Sequence, residues 1–139
     1  MTIPTIEFTL PMTEALGKMT VRQRREMLKN FLAAYSEMEM ISPKLGKVYT
    51  SPRGIKETAE HASRSVESTI AAMNMRSVVE NAILIARHTP KQNQQVKRFG
   101  FVEICELAVK MRGVGDVKLM VGRMGNNFYV EYCITVKRK

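Results

Sequence analysis

Residues 99–111 read FGFVEICELAVKM, and from Phe99 onward the sequence carries the period of a sheet rather than of a helix. Two further runs of the same kind follow, VKLMVGR at 117–123 and FYVEYCITVKR at 128–138, separated by RGVGD and MGNN. Gly125, Asn126 and Asn127 tolerate positive φ, so the last two runs are expected to pair as a hairpin. Alternation then puts Val117, Leu119 and Val121 on one face, and Val130, Tyr132, Ile134 and Val136 on one face of the next strand. Upstream, AILIA at 82–86 is an apolar run of strand length.

The first 80 residues have a different rhythm. TIEFTL at 5–10 alternates as a short strand that Pro11 ends. Thr20 with Gln23 three residues on has the form of a capping box and opens a helix to about residue 38. Its buried stripe is Leu28, Phe31, Leu32 and Tyr35; its opposite face carries Arg22, Arg25 and Lys29, with Arg24 beside them, either solvated or a secondary polyanion surface. Pro43 and Gly46 mark a turn before a short β-like run at 47–50. Ser51-Pro52 suits a helix start, because proline loses nothing in the first turn, and that helix is expected over 52–63. Further helical pieces are expected at 66–73 and 76–81, with Val78, Val79 and Ala82 inward. The fold class is therefore α+β, with N-terminal helices packed on a C-terminal antiparallel meander of three to four strands. Residues 1–40 form an N-terminal strand and amphipathic helix, and 41–139 the main α+β unit, the whole being one compact body.

A chain of 139 residues is long enough to bury a core without disulfides or a metal. Cys105 and Cys133 lack zinc-site spacing; they read as buried free thiols, with a disulfide possible if their strands are neighbours. No basic start precedes an apolar stretch and no apolar run approaches membrane-span length, so a cytoplasmic protein is expected. Eleven methionines include Met38, Met40, Met73 and Met75 near expected helix ends, where they either fill the core or support self-association. The net charge is +9, and residues 51–139 hold 15 Lys and Arg against 8 Asp and Glu. Such a balance attracts polyanions, with nucleic acid, RNA above all, or an acidic protein as the expected partner.

P-loop, dinucleotide, HExxH and GxSxG motifs are absent, and no metal or cofactor is expected. His61 and His88 are the two side chains suited to proton transfer near neutrality. Glu57 and His61, four apart, share a helix face, while Lys56 lies about 140° away around it. Metal-independent RNA cleavage needs a base for the 2′-OH, an acid for the leaving oxygen and cations for the developing charge. The candidates are His61 and His88 for the proton, Lys56, Lys91 or Arg98 for charge, and Thr135 for a phosphate hydrogen bond. Arg53, Arg87, Lys97 and Lys137 complete the expected phosphate contacts, with 88–98 as a polar, basic loop.

The segments SPRGIKETAEH, VVENAILIARH, DVKLMVGR and YVEYCITVKR, in that order, resemble the phage and mobile-element polyvalent-protein-associated domains. That group is similar to the barnase, EndoU, colicin E5/D and RelE-like nucleases. The resemblance covers about residues 41–137. It implies a nuclease-like α+β fold and ribonuclease activity, with Lys56, Thr58 and His61 on the helical motif, His88 after the strand and Thr135 on the last strand. Met120 and Met124 depart from the pattern, standing where the group more often has polar residues. A non-catalytic module with the same basic surface is the alternative.

Overall fold

The computed structural model describes residues 2–8, 13–36, 38–90 and 100–137. In chain order the elements are β1 (Thr5–Ile6), α1 (Thr13–Lys18), α2 (Val21–Leu32) running into a 3-10 turn (Ala33–Tyr35), β2 (Glu39–Ser42) and β3 (Gly46–Tyr49). Then come α3 (Pro52–Ala62), α4 (Val66–Met73), α5 (Met75–Asn81), β4 (Ile83–His88), β5 (Phe101–Met111), β6 (Gly115–Met124) and β7 (Tyr129–Lys137).

The local signals act where expected. Thr20 accepts from the Gln23 amide while the Gln23 side chain accepts from the Thr20 amide, closing the capping box of α2. Ser51 caps α3 by accepting from Gly54 N, and Pro52 sits in the first turn. Leu28 and Leu32 are buried, with Phe31 and Tyr35 packed against them. Val78, Val79 and Ala82 are buried, as are Met40, Met73 and Met75, so three of the four named methionines fill the core. Arg24 does not join the basic face of α2. It is buried, and it donates to the carbonyl oxygens of Ser63 at 2.9 Å, Met19 at 2.7 Å and Leu16 at 3.2 Å, tying α2 to the end of α3.

The meander is present as antiparallel β4–β5–β6–β7, but it is part of something larger. The sheet has seven strands in the order β1-β5-β6-β7-β3-β2, with β4 also on β5, and it is mixed rather than purely antiparallel. β1 joins β5 in parallel through Thr5↔Lys110 and Ile6↔Met111, and β3 joins β7 in parallel through Val48↔Tyr129 and Tyr49↔Val130. Each parallel contact is only two residues long, too short to leave a period in the sequence. What drives them is the unpaired backbone on the outer edges of β5 and β7, which must find partners when buried.

Helices cover one face of this sheet. Cys105, Leu107, Val109 and Met111 of β5 and Val117, Leu119 and Val121 of β6 are buried beneath them. β7 departs from simple alternation. A bulge between Met120 and Val121 sets Cys133 opposite Met120 but Glu131 opposite Val121, leaving Tyr132 as the extra residue. The expected face of Val130, Tyr132, Ile134 and Val136 is therefore broken: Ile134 and Val136 stay with the core, Glu131 takes the next inward position, and Val130 turns to the other face opposite Gly122. Cys105 and Cys133 lie on opposite faces with β6 between their strands, so both are free thiols.

Glu131 is fully buried, and Thr58 of α3 donates to it at 2.6 Å. At the same junction a β-carbon on Gly54 would run into the Glu131 carbonyl oxygen, so α3 approaches β7 as closely as glycine permits. Gly54→Ala is expected to cost roughly 1–3 kcal/mol by forcing helix and strand apart, read as a lowered denaturant midpoint. An unchanged midpoint would mean that the contact is loose.

Candidate functional site

The face of the sheet away from the helices carries the polar groups. Among the described residues, the register arranges three rows across β5, β6 and β7: Lys110, Asp116 and Lys137; then Ala108, Lys118 and Thr135; then Glu106, Met120 and Cys133. β4 adds Ile83 beside Ala108, Ala86 beside Glu106 and His88 beside Ile104. His88, Glu106 and Lys118 thus fall on one diagonal, and Thr135 stands directly beside Lys118. Sheet spacings put the His88 and Glu106 backbones about 8 Å apart and those of Lys118 and Thr135 about 5 Å apart. His88 and Thr135, at the two ends, are about 20 Å apart and cannot touch the same atom.

A groove of about 510 Å³ takes in the Glu106, Lys118 and Thr135 part of this surface, lined also by Ile3, Ile85 and Lys137 among others, while His88 stands outside its lining. Ala108 lies in its floor, and its small side chain leaves room beside Lys118. The Lys118 Nζ is 3.6 Å from Glu106 Oε1, with both side chains reached by solvent. A second hollow of about 520 Å³ adjoins it around the β5–β6 turn and shares Lys110, Asp116 and Lys137. The chemistry on offer is an imidazole, a carboxylate, a hydroxyl and a row of ammonium groups on one wet surface.

The other candidates are elsewhere. His61 and Lys56 belong to α3, in the layer that covers the opposite face. His61 Nε2 lies 3.3 Å from Glu57 Oε2, the expected pair, and exposed Lys56 lines a hollow of about 290 Å³ with Lys29. Arg53 stands at the start of α3 and lines a small cavity with Ser51, Phe101, Met124 and Val130. Arg87 lies opposite Cys105 and so points to the side away from the groove. Its Nη1 is 2.7 Å from Glu103 Oε1 and reaches the Tyr129 hydroxyl at 3.5 Å, while Arg123 Nε lies 3.4 Å from the same carboxylate oxygen. The hydrogen bond from Arg87, reinforced by that from Arg123, holds the Glu103 carboxyl below its usual range, and the guanidinium of Arg87 is raised by its hydrogen bonds to the Tyr129 hydroxyl and then to Glu103. That cluster joins β4, β5, β6 and β7, which is a structural task. Lys91, Lys97 and Arg98, with most of the 88–98 loop, lie outside the described residues.

A model of the large polyvalent protein-associated domain 3 matches residues 19–129, about four fifths of the chain. The chain belongs to this family. The expectation drawn from the motifs, a phage- and mobile-element-associated domain, is met at that level. The match begins earlier than the motif order suggested: it takes in α2 of the polyvalent protein-associated domain and stops at the first residue of β7, so Thr135 and Lys137 lie beyond it. No curated protein and no solved structure matches the chain.

Glu106 and Lys118, like Lys110 and Asp116, are groove residues that sequence reasoning passed over. Each sits in an ordinary strand alternation, and only the pairing of β5 with β6 brings carboxylate and ammonium together. Among the described residues, no three His, Cys, Asp or Glu side chains are grouped to hold a metal ion, and no helix is long and apolar enough to cross a membrane.

Proposed function

We propose that this polyvalent protein-associated domain binds RNA in the open-face groove and cleaves it by metal-independent acid–base chemistry. One observation carries the reading: His88, Glu106 and Lys118 step along one diagonal of the face away from the helices, with Thr135 beside Lys118. The Glu106 carboxylate takes the 2′-OH proton as the 2′-oxygen attacks phosphorus. Lys118, 3.6 Å from that carboxylate, balances the charge that gathers on the non-bridging oxygens, while the Thr135 hydroxyl, too far from His88 to reach the same phosphate, donates to a neighbouring phosphate of the strand. His88 protonates the departing 5′-oxygen, leaving a 2′,3′-cyclic phosphate and a free 5′-hydroxyl. The resemblance of the motif order to the barnase, EndoU, colicin E5/D and RelE-like group supports the same reaction class.

A second reading, RNA binding without turnover, is favoured by the Glu106–Lys118 ion pair, which partly neutralises the groove from within. Incubating the protein with total RNA and with DNA of matched length, each with EDTA, separates the two. Cleavage of RNA alone, insensitive to EDTA and ending in cyclic phosphate, is the expected result, because DNA lacks the attacking oxygen. Salt-sensitive retention of intact RNA would leave only the binding function, and no retention of either polymer would end both readings.

A further inference from the structure

We propose that the hairpin end of the open face is a nucleobase pocket, in which one unpaired base of a single-stranded RNA is held between Phe128 and a wall formed by Phe101, Met124 and Val130. This rests on the RNA reading above and names which form of RNA the groove takes.

A cavity of about 230 Å³ lies there, lined by Ser51, Arg53, Phe101, Met124 and Val130. An apolar cavity of roughly 150 Å³ holds a benzene ring, so this one has room for a heteroaromatic base. Its floor is specific: a β-carbon on Gly122 would collide with the Phe101 ring, so the absent side chain lets the ring lie flat across the strand. Phe101 in turn meets Tyr132 with ring centroids 5.2 Å apart. Three apolar side chains therefore face two polar ones, a hydroxyl and a guanidinium, and that is the mix that stacks a base and addresses its edge or its phosphate.

Beside the cavity, Phe128 is 51% exposed, unusual for a large aromatic ring. It is nonetheless placed rather than loose: its carbonyl accepts from Met124 N at 2.7 Å, and its ring meets Tyr49 edge-on at 5.4 Å and 77°. Tyr49 is in register with Val130, so the Phe128 ring, itself outside the cavity lining, is linked to the cavity wall through Tyr49. From Val130 to Thr135 β7 covers about 15 Å on the same face. One nucleic-acid strand thus reaches from the aromatic end to the Lys118–Thr135 row, where the ammonium groups complement its phosphates. A duplex, whose bases are stacked inside, has nothing to offer the ring.

The test is binding of the full chain, by fluorescence anisotropy, to a 2′-O-methyl single-stranded oligonucleotide, which lacks the attacking hydroxyl, and to inorganic polyphosphate, which lacks bases. Phe128→Ala is expected to weaken oligonucleotide binding about tenfold, in line with the usual worth of one stacked base, and to leave polyphosphate binding unchanged. Phe128→Tyr is expected to restore wild-type affinity. Equal affinity of wild type and Phe128→Ala for the oligonucleotide, or equal losses for both ligands, would overturn the pocket while leaving the groove as an RNA site. If wild type bound neither ligand, the RNA reading itself would fall, and the pocket with it.

Discussion

Glu106→Gln is expected to lower metal-independent RNA cleavage by two orders of magnitude or more, with the fold intact. Glutamine has nearly the same volume but cannot accept the 2′-OH proton, and a positioned acid or base contributes roughly 10²–10⁴ in rate. Lys118→Ala is expected to cost a similar factor, by removing a cation from the place where charge develops. The double variant should be little worse than either single one, because the two side chains act as a unit 3.6 Å apart. Stability should move by no more than about 1 kcal/mol, since the pair is solvent-reached and such ion pairs add little. Single-turnover rates beside thermal melts check all of this. Wild-type cleavage by Glu106→Gln would be fatal to the assignment of the base, while a cleavage loss in His61→Ala equal to that in His88→Ala would move the chemistry to the helical layer.

The second large effect concerns the buried carboxyl of Glu131. Burial pushes its pKa up to about 8, against the small opposing pull of the Thr58 hydroxyl, and its Oε1 has no hydrogen-bond partner. An acid whose folded pKa lies above its unfolded value stabilises the fold fully below the unfolded value, near 4.5. That contribution drains away as pH rises and is gone once pH has passed about 8, because the unfolded chain releases the proton first. Glu131→Gln, neutral at every pH, is therefore expected to be more stable than wild type at pH 9 by on the order of 3 kcal/mol, a rise in melting temperature of roughly 10 °C. Near pH 4 the two should melt together. Thr58→Val, which removes the hydroxyl that favours the carboxylate, should carry the decline to still higher pH. Tyr132 and Cys133 are also raised by burial, the thiol to about 12, so neither titrates in this window. Parallel melting curves for wild type and Glu131→Gln from pH 4 to 9 would show that Glu131 is not buried as described.

Glu131 also marks the limit of what alternation reveals. In YVEYCITVKR the apolar residues at 130, 132, 134 and 136 read as one face, and a strand without a bulge would have buried them together. The extra residue at Tyr132 reverses the near half, sending Glu131 under α3 and Tyr132 against Phe101. A bulge is a property of two strands, set by what each must pack against, and one strand's sequence does not contain it. The same holds for the groove. Thr135, Lys137 and His88 were recognisable as candidates by type, but Glu106 and Lys118 are 12 positions apart and meet only through the β5–β6 register.

The sequence by itself determined the elements whose causes are local. Ser51 and Pro52 begin α3, Thr20 and Gln23 close the first turn of α2, the β6–β7 turn bends at Asn127 with φ of 68°, and Val117, Leu119 and Val121 form one inward face. Tertiary structure alone decided the parallel additions at β1 and β3, the burial of Arg24 and Glu131, and the separation of His61 and Lys56 from the diagonal on the open face. Caps, turns and alternation are settled within a few residues of chain. Edge pairing, bulges and the meeting of side chains from neighbouring strands depend on surfaces that come together only when the sheet is assembled.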